Sequence, residues 1–379
     1  DLLSLQTNEH LNGKMRKGFF FGMLVLFLTG SRFLYAQKSA DLIRLEIPSA
    51  IAPGSYGLAS LSDGGLMIFY QGRGLTEQKK RKWYFGLFDT NLRQRWLKEV
   101  PLTNKLQLVG HRLHNGKLVF LFKNLDKIKR GPGYYEILIY DLKSQVFTEI
   151  NGKLPSRTGI VDYKLSGQWL CMALKRPGFI SDLLFVNTKS GAIKVAHLNA
   201  GGQTDLAGLF VDRQNGHFIV VVNRMNVDSV FHHKIFNFSQ DARVFGKIDV
   251  INKDHLRYLK TFALAEADGM SMKFFGVYNQ VELGKKKSHS YDNYTKPQSA
   301  GFFYLNIENG AQRVLRFYDF MQFKNITGTY ANSQIQYHRK RKKLRNILSD
   351  TSVNAVSLLN LGKSQLYSYQ DQYVVAAEA

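Results

Sequence analysis

The chain of 379 residues contains a single cysteine, Cys171. That excludes an intramolecular disulfide and any zinc site built on cysteine pairs. A catalytic thiol needs a basic, partly exposed setting, whereas Cys171 sits in the apolar run QWLCMAL and reads as a buried strand residue. Acidic residues are scarce, with 29 Asp and Glu against 52 Lys and Arg and a net charge of +23. Such a field favours anionic partners. HExxH, EF-hand, P-loop and nucleophile-elbow patterns are absent, so no metal site and no cofactor is expected. His232 and His233 are adjacent and on a strand would point to opposite faces, which rules out joint ligation of a metal. No stretch before residue 330 reads as a long amphipathic helix.

What is present begins with a leader. Residues 15–36 read MRKGFFFGMLVLFLTGSRFLYA: a start methionine, two basic residues, an apolar run over 18–30 and a small residue, Ala36, at a cleavage position. This is the signal-peptide pattern, and the apolar run is too short to span a bilayer. Residues 1–14 precede that start and read as upstream or artefactual sequence. Residues 37–379 keep 48 basic against 27 acidic side chains, so the basic bias does not come from the leader. A secreted chain without disulfides fits a bacterial periplasm or cell surface, where the sequons at Asn293 and Asn325 carry no obligatory meaning.

With 44% hydrophobic and 13% aromatic residues, 37–379 can bury a large core and reads as one domain. Five phrases give its plan: WYFGLFDTNLRQ, YYEILIYDLKSQ, DLLFVNTKSG, HHKIFNFSQD and FFYLNIENGA. In each an apolar strand ends at Asp89, Asp141, Asn187, Asn237 or Asn306 and a polar turn opens. Asp and Asn suit that place because their side chains accept from backbone amides just ahead. A glycine turn precedes each phrase, at Gly64, Gly116, Gly167, Gly216 and Gly269, spaced 52, 51, 49 and 53. Asp-Gly, Asn-Gly and Ser-Gly between strands are hairpin signals. Each unit of about 50 residues therefore holds strands A to D in antiparallel order, which is the plan of a β-propeller blade.

The phrase ILIYDLKSQ resembles the end of strand C in WD-repeat propellers, where an aromatic-Asp pair closes the strand. The Gly-His dipeptide of that family is absent, as are kelch and quinoprotein blade signatures. The chain resembles the divergent secreted propellers of bacterial envelopes, a resemblance that implies a fold and no activity. The expectation is an all-β propeller of about six four-stranded blades, with seven as the alternative for a complete protein. QLYSYQDQYVVAAEA reads as strands A and B of a sixth blade turning near Asp371, and DLIRLEIP, residues 41–48, is expected to pair into that blade. A chain ending inside an apolar strand leaves an exposed edge, so the expectation is that the protein continues beyond Ala379.

In a propeller the B–C and D–A loops share one face. The B–C loops carry Lys79, Lys80, Arg81 and Lys82; Lys127, Lys129 and Arg130; Lys175 and Arg176; and Lys285, Lys286 and Lys287. A D–A insertion near 331–350, read as a short basic helix, adds Arg339, Lys340, Arg341, Lys342, Lys343 and Arg345. Gathered on one face, these make a platform for a polyanion, with Tyr291 and Tyr294 available to stack on rings. The expected function is a non-catalytic binding or scaffold propeller acting as a monomer on acidic glycan, anionic lipid or an envelope protein, ahead of nucleic acid. The alternative is a propeller glycoside hydrolase or lyase on acidic glycan. It would need carboxylates about 5–9.5 Å apart at the central channel, for which Asp162, Asp205 and Glu266 are the candidates.

Overall fold

The computed structural model describes residues 51–124, 133–198, 203–225, 231–254, 257–280, 299–320, 364–369 and 372–377. These residues form five four-stranded antiparallel sheets and one hairpin, each strand pairing with its neighbours in chain order. Sheet one holds β1 (Ile51–Ser60), β2 (Leu66–Leu75), β3 (Arg81–Phe88) and β4 (Gln94–Leu102). Sheet two holds β5 (Leu106–His114), β6 (Lys117–Asn124), β7 (Gly133–Asp141) and β8 (Val146–Leu154). Sheet three holds β9 (Gly159–Ser166), β10 (Trp169–Arg176), β11 (Ile180–Asn187) and β12 (Ile193–His197). Sheet four holds β13 (Gln203–Val211), β14 (Phe218–Met225), β15 (Phe231–Phe238) and β16 (Val244–Val250). Sheet five holds β17 (Arg257–Asp268), β18 (Ser271–Gln280), β19 (Gly301–Glu308) and β20 (Ala311–Asp319). The hairpin is β21 (Ser364–Tyr369) with β22 (Gln372–Ala377). No α-helix occurs among the described residues.

Burial follows position in the sheet. The middle strands of sheets two and three carry unbroken apolar runs, and Leu118–Phe122, Ile137–Tyr140, Leu170–Leu174 and Leu183–Val186 are buried throughout. Only a strand covered on both faces tolerates such a run. Fourth strands such as β4 and β8 alternate exposed with half-buried residues, as outer strands should. The covering comes from the neighbouring sheets. Phe69 and Phe85 of sheet one meet Phe120 of sheet two with ring centroids 4.9 and 5.1 Å away. Val119 and Leu121 pack with Leu170 and Met172 of sheet three. Phe185 meets Phe218 of sheet four at 5.5 Å, and Ile219 and Val221 pack with Phe262 and Phe274 of sheet five.

First strands also lie beside one another in order, β1 by β5, β5 by β9, β9 by β13 and β13 by β17, and β21 continues the series beside β17. Five sheets stacked face to face with their first strands gathered on one side are laid out as propeller blades are. The expected A and B strands after residue 363 are the hairpin. Residues 41–48 and 331–350, with the closure and the helix expected there, lie outside the described residues.

The five turn glycines all fall between the first and second strands of their sheets. Gly116, Gly167, Gly216 and Gly269 have φ of 70°, 55°, 69° and 57°. In sheet one a 3-10 turn over Ser62–Gly64 makes the link five residues long, and the positive-φ residues are Ser62, at 54°, and Gly65, at 96°, rather than Gly64. The Asp and Asn landmarks divide. Asp89, Asp141 and Asn187 each accept two backbone N–H groups through Oδ1. Asn237 instead donates to Met270 Sδ, and the turn beyond it is held by Ser239 Oγ, which accepts from Arg243 N. Asn306 donates to Glu308, and that chain reverses later, at Asn309 and Gly310 with φ of 51° and 78°.

Candidate functional site

Two sets of contacts separate the rims of the stack. On one rim the A–B turns join: Ser166 Oγ donates to Gly216 O at 2.7 Å, and Gly269 N to Asp212 Oδ2 at 2.9 Å. On the other, the end of β10 meets the start of β13 where Lys175 Nζ donates to Asp205 Oδ1 at 2.7 Å. Likewise the end of β14 meets the start of β17 where Asn223 Nδ2 donates to the Tyr258 hydroxyl at 2.6 Å. Thr103 N, just after β4, reaches Glu136 near the start of β7 at 3.2 Å. The second strands therefore end, and the third strands begin, at this second rim.

At this rim the sheets repeat a feature that the sequence did not reveal. Near the start of the first strand one residue is bulged out of the ladder: Val109 in β5, Val161 in β9, Ala207 in β13 and Lys260 in β17, which has a second bulge at Ala265. Sheet one has a longer irregularity at the same level, ending at Tyr56 opposite Tyr70. A bulge bends its strand and re-aims the side chain, and bulges gather at barrel rims and binding sites. The second strand answers with a polar residue ending its apolar run: Gln71, Lys123, Lys175, Asn223 and Asn279. In sheets two to five each bulge lies opposite the two residues just before that polar one. Strand alternation turns the polar side chain toward the next sheet, as the Lys175–Asp205 and Asn223–Tyr258 contacts bear out. Burial lowers the Lys260 amine below its ordinary value.

The predicted cations divide between described and undescribed residues. Lys127, Lys129, Arg130, Lys285, Lys286, Lys287 and the 339–345 set lie outside the described residues, as do Tyr291 and Tyr294. Lys79 is exposed in the β2–β3 turn at φ 60°. Arg81 Nη1 donates to the carbonyl of Arg73 at 2.8 Å, and Lys82 Nζ lies 3.1 Å from Glu99. Lys175 holds Asp205, and Arg176 Nε lies 2.7 Å from the buried Asp182, whose other oxygen faces His197 Nδ1 at 2.9 Å. Burial pushes the Glu136 carboxyl up, against hydrogen bonds from Thr103 and the attraction of Lys80. These side chains thus tie strands and sheets together as well as carrying charge at the rim.

The inner-strand carboxylates are each matched to a lysine. Asp162 meets Lys164, Asp205 meets Lys175 and Glu266 meets Lys273, all at 2.7 Å. Among the described residues no three His, Cys, Asp or Glu side chains converge. The two histidines do face oppositely. His232 is exposed, and His233 is buried between sheets four and five against Tyr258 and Phe262. The Asn223 amide donates to Tyr258, so its Oδ1 accepts from His233 Nδ1 at 2.7 Å. Burial pushes the His233 imidazole down to about 3. Cys171 is buried, and burial drives its thiol well above the ordinary value.

No family model matches the chain, and no curated protein does. Solved structures overlap with it weakly. The β-propeller domain of the Trilobed protease from Pyrococcus furiosus is 12% identical, with a TM-score of 0.35 over 70% of this chain and 83% of that one. A Synechocystis apocarotenoid oxygenase is 11% identical, with a TM-score of 0.35 over 67% and 58%. Oligopeptidase B from Leishmania major is 10% identical, with a TM-score of 0.36 over 66% of this chain and only 33% of its own length.

Proposed function

We propose that the chain is a non-catalytic binding or scaffold module of the bacterial envelope, secreted or periplasmic, that holds an anionic ligand on its B–C rim. In this reading it is a six-bladed propeller whose sixth blade includes β21 and β22. The carrying observation is topological. The strand ends bracketing residues 76–80, 125–132, 177–179, 226–230 and 281–298 emerge at one rim, and three of those five sequence stretches are rich in lysine and arginine. Basic runs far apart in sequence then add their fields at one place. The hydrolase alternative is disfavoured by chemistry: Asp162, Asp205 and Glu266 each neutralise a lysine instead of sharing a site.

Charge reversal on the two rims tests this. One variant carries Lys79→Glu, Lys285→Glu and Lys287→Glu. The control carries Lys143→Glu, Lys189→Glu and Arg213→Glu, exposed residues of turns on the opposite rim. Both change net charge equally. In a salt titration against heparin, the first should lose at least tenfold in affinity at 0.15 M salt and the control less than threefold. The attraction should fade as exposed charges are screened within about 8 Å. Equal losses would reduce the rim to an effect of net charge. Release of new reducing ends from acidic glycans would establish the enzyme instead.

A further inference from the structure

The polar contacts between sheets at the B–C rim follow one register. The second-strand residue is Lys123, Lys175 or Asn223 in sheets two, three and four, and in the next sheet it meets the residue two before the rim bulge. Lys175 thus reaches Asp205, and Asn223 reaches Tyr258, at 2.7 and 2.6 Å. Between sheets two and three the same position is Gly159. Lys123 points into that gap: it continues the side of β6 on which Val119 and Leu121 pack against sheet three, and it is only 9% exposed. The glycine brings no side chain to meet it. A Cβ on Gly159 would come no nearer than 3.8 Å to a described atom, the carbonyl oxygen of Lys175. Gly159 itself is half-buried, so solvent reaches the place. Thr158, one residue earlier, adds an independent sign. Its equivalent in sheet four is Thr204, whose hydroxyl accepts from Ser181 N at 3.0 Å across the gap between sheets three and four. Thr158 is 3% exposed, yet its hydroxyl finds no hydrogen-bond partner among the described residues. A buried hydroxyl left unpaired costs free energy, and native proteins seldom keep one without a use.

We infer that the gap between sheets two and three is a binding site for a small carboxylate, whose oxygens stand where the Asp205 carboxylate stands in the next gap. One oxygen accepts from Lys123 Nζ and the other from the Thr158 hydroxyl. Lys123 has another contact as well, and an ammonium carries three donors, so a further acceptor is accommodated. Charge-assisted hydrogen bonds are the stronger kind, more so where little water competes. A carboxylate matches two donors with two oxygens. Phosphate or sulfate brings more oxygens than these donors serve. None of the basic links of the rim takes part, so the site stands or falls apart from the polyanion reading.

The test is saturation-transfer NMR of acetate with the full chain at fixed ionic strength, with the thermal midpoint as a second readout. The acetate methyl should receive saturation from the protein. Acetate should also raise the midpoint by about 2 °C over chloride, because a ligand held only by the folded state stabilises it. Sulfate and phosphate should fail to displace it. Gly159→Asp supplies a carboxylate within the chain, as Asp205 does for Lys175, and Gly159 is not among the residues with positive φ, so the change carries no backbone strain. This variant should have a higher midpoint in chloride and no response to acetate. Lys123→Met should lose the acetate signal, and Thr158→Val should weaken it at least threefold. If Lys123→Met does not fold, Gly159→Asp decides alone. The variant with Lys79→Glu, Lys285→Glu and Lys287→Glu should bind acetate within twofold of the wild type, whatever its loss toward heparin. No saturation transfer to acetate, an acetate response that survives Gly159→Asp, or displacement by phosphate and sulfate each overturns the carboxylate site and leaves the rim reading untouched.

Discussion

At the scale of single residues, the buried polar groups carry the pH behaviour. His233 donates to Asn223 in a cleft between two sheets, and burial holds its imidazole near 3. The unfolded chain binds a proton near 6.5 while the folded chain stays neutral, so protonation favours unfolding. The contribution of His233 is complete above about pH 6.5 and is lost progressively as pH falls toward 3. At pH 5 the loss is about 2 kcal/mol, from about 1.4 kcal/mol per pH unit. His233→Gln keeps a donor for Asn223 without a titrating group. Its urea midpoint should fall less than that of the wild type between pH 7 and pH 5, and parallel pH profiles would rule this account out. Asp212 acts in the same direction at lower pH. Burial would raise its carboxyl, but hydrogen bonds from Asn215, Gly269 and Gln214 prevail and hold it below the ordinary range. Its contribution is present above about pH 4 and fades as pH drops further.

At the scale of strands and turns, the A–B turns of sheets one and two differ in both backbone and surroundings: Gly65 follows a 3-10 turn at φ 96° and ψ −137°, and Gly116 sits in a two-residue link at φ 70°. A Cβ on Gly116 would meet nothing within 4 Å, so Gly116→Ala bears only the left-handed φ of 70°, about 1 kcal/mol. A Cβ on Gly65 would lie 2.1 Å from the carbonyl oxygen of Phe88. There the backbone must move as well, and Gly65→Ala should cost at least 2 kcal/mol more than Gly116→Ala in chemical denaturation. Similar costs would mean that the close approach of the Phe88 carbonyl adds nothing. The bulges belong to this scale too. In β5 and β13 the residue after the bulge is a glycine, Gly110 and Gly208. A Cβ on Gly110 would come within 2.7 Å of the Tyr163 hydroxyl on the next first strand, so here glycine permits two first strands to approach.

At the scale of the whole molecule, stability is distributed along a stack. Sheets two, three and four bury both faces of their middle strands against their neighbours, and fourth strands such as β4 and β8 lie at the outside. Hydrogen exchange should therefore be slowest in β6, β10 and β14 and fastest among the fourth strands, since protection follows burial of the ladder. Fourth strands as protected as second strands would contradict this layered order. Phe120 joins sheets one and two through rings at 4.9 and 5.1 Å. Phe120→Ala should cost about 3–5 kcal/mol and lower protection on both sides of that interface together.

Much of this architecture was legible in the sequence, because strand number, strand order and turn sites depend on local chemistry. Unbroken runs such as LVFLF and LCMAL require cover on both faces, glycines mark the tight reversals, and Asp89, Asp141 and Asn187 cap the turns that they precede. The failures were local as well: Asn237 and Asn306 sit where a cap was expected, but Ser239 and the Asn309–Gly310 pair make those turns. Only the tertiary structure decided the inner mouth. A bulge is a mismatch between two strands, and Val109 or Val161 read in its own strand is one more apolar residue. The partners of Lys175 and Asn223 lie 30 and 35 residues ahead on the next sheet. Whether a lysine ends as a free rim charge or half of a tie between sheets depends on how those sheets stack, and no single strand encodes that.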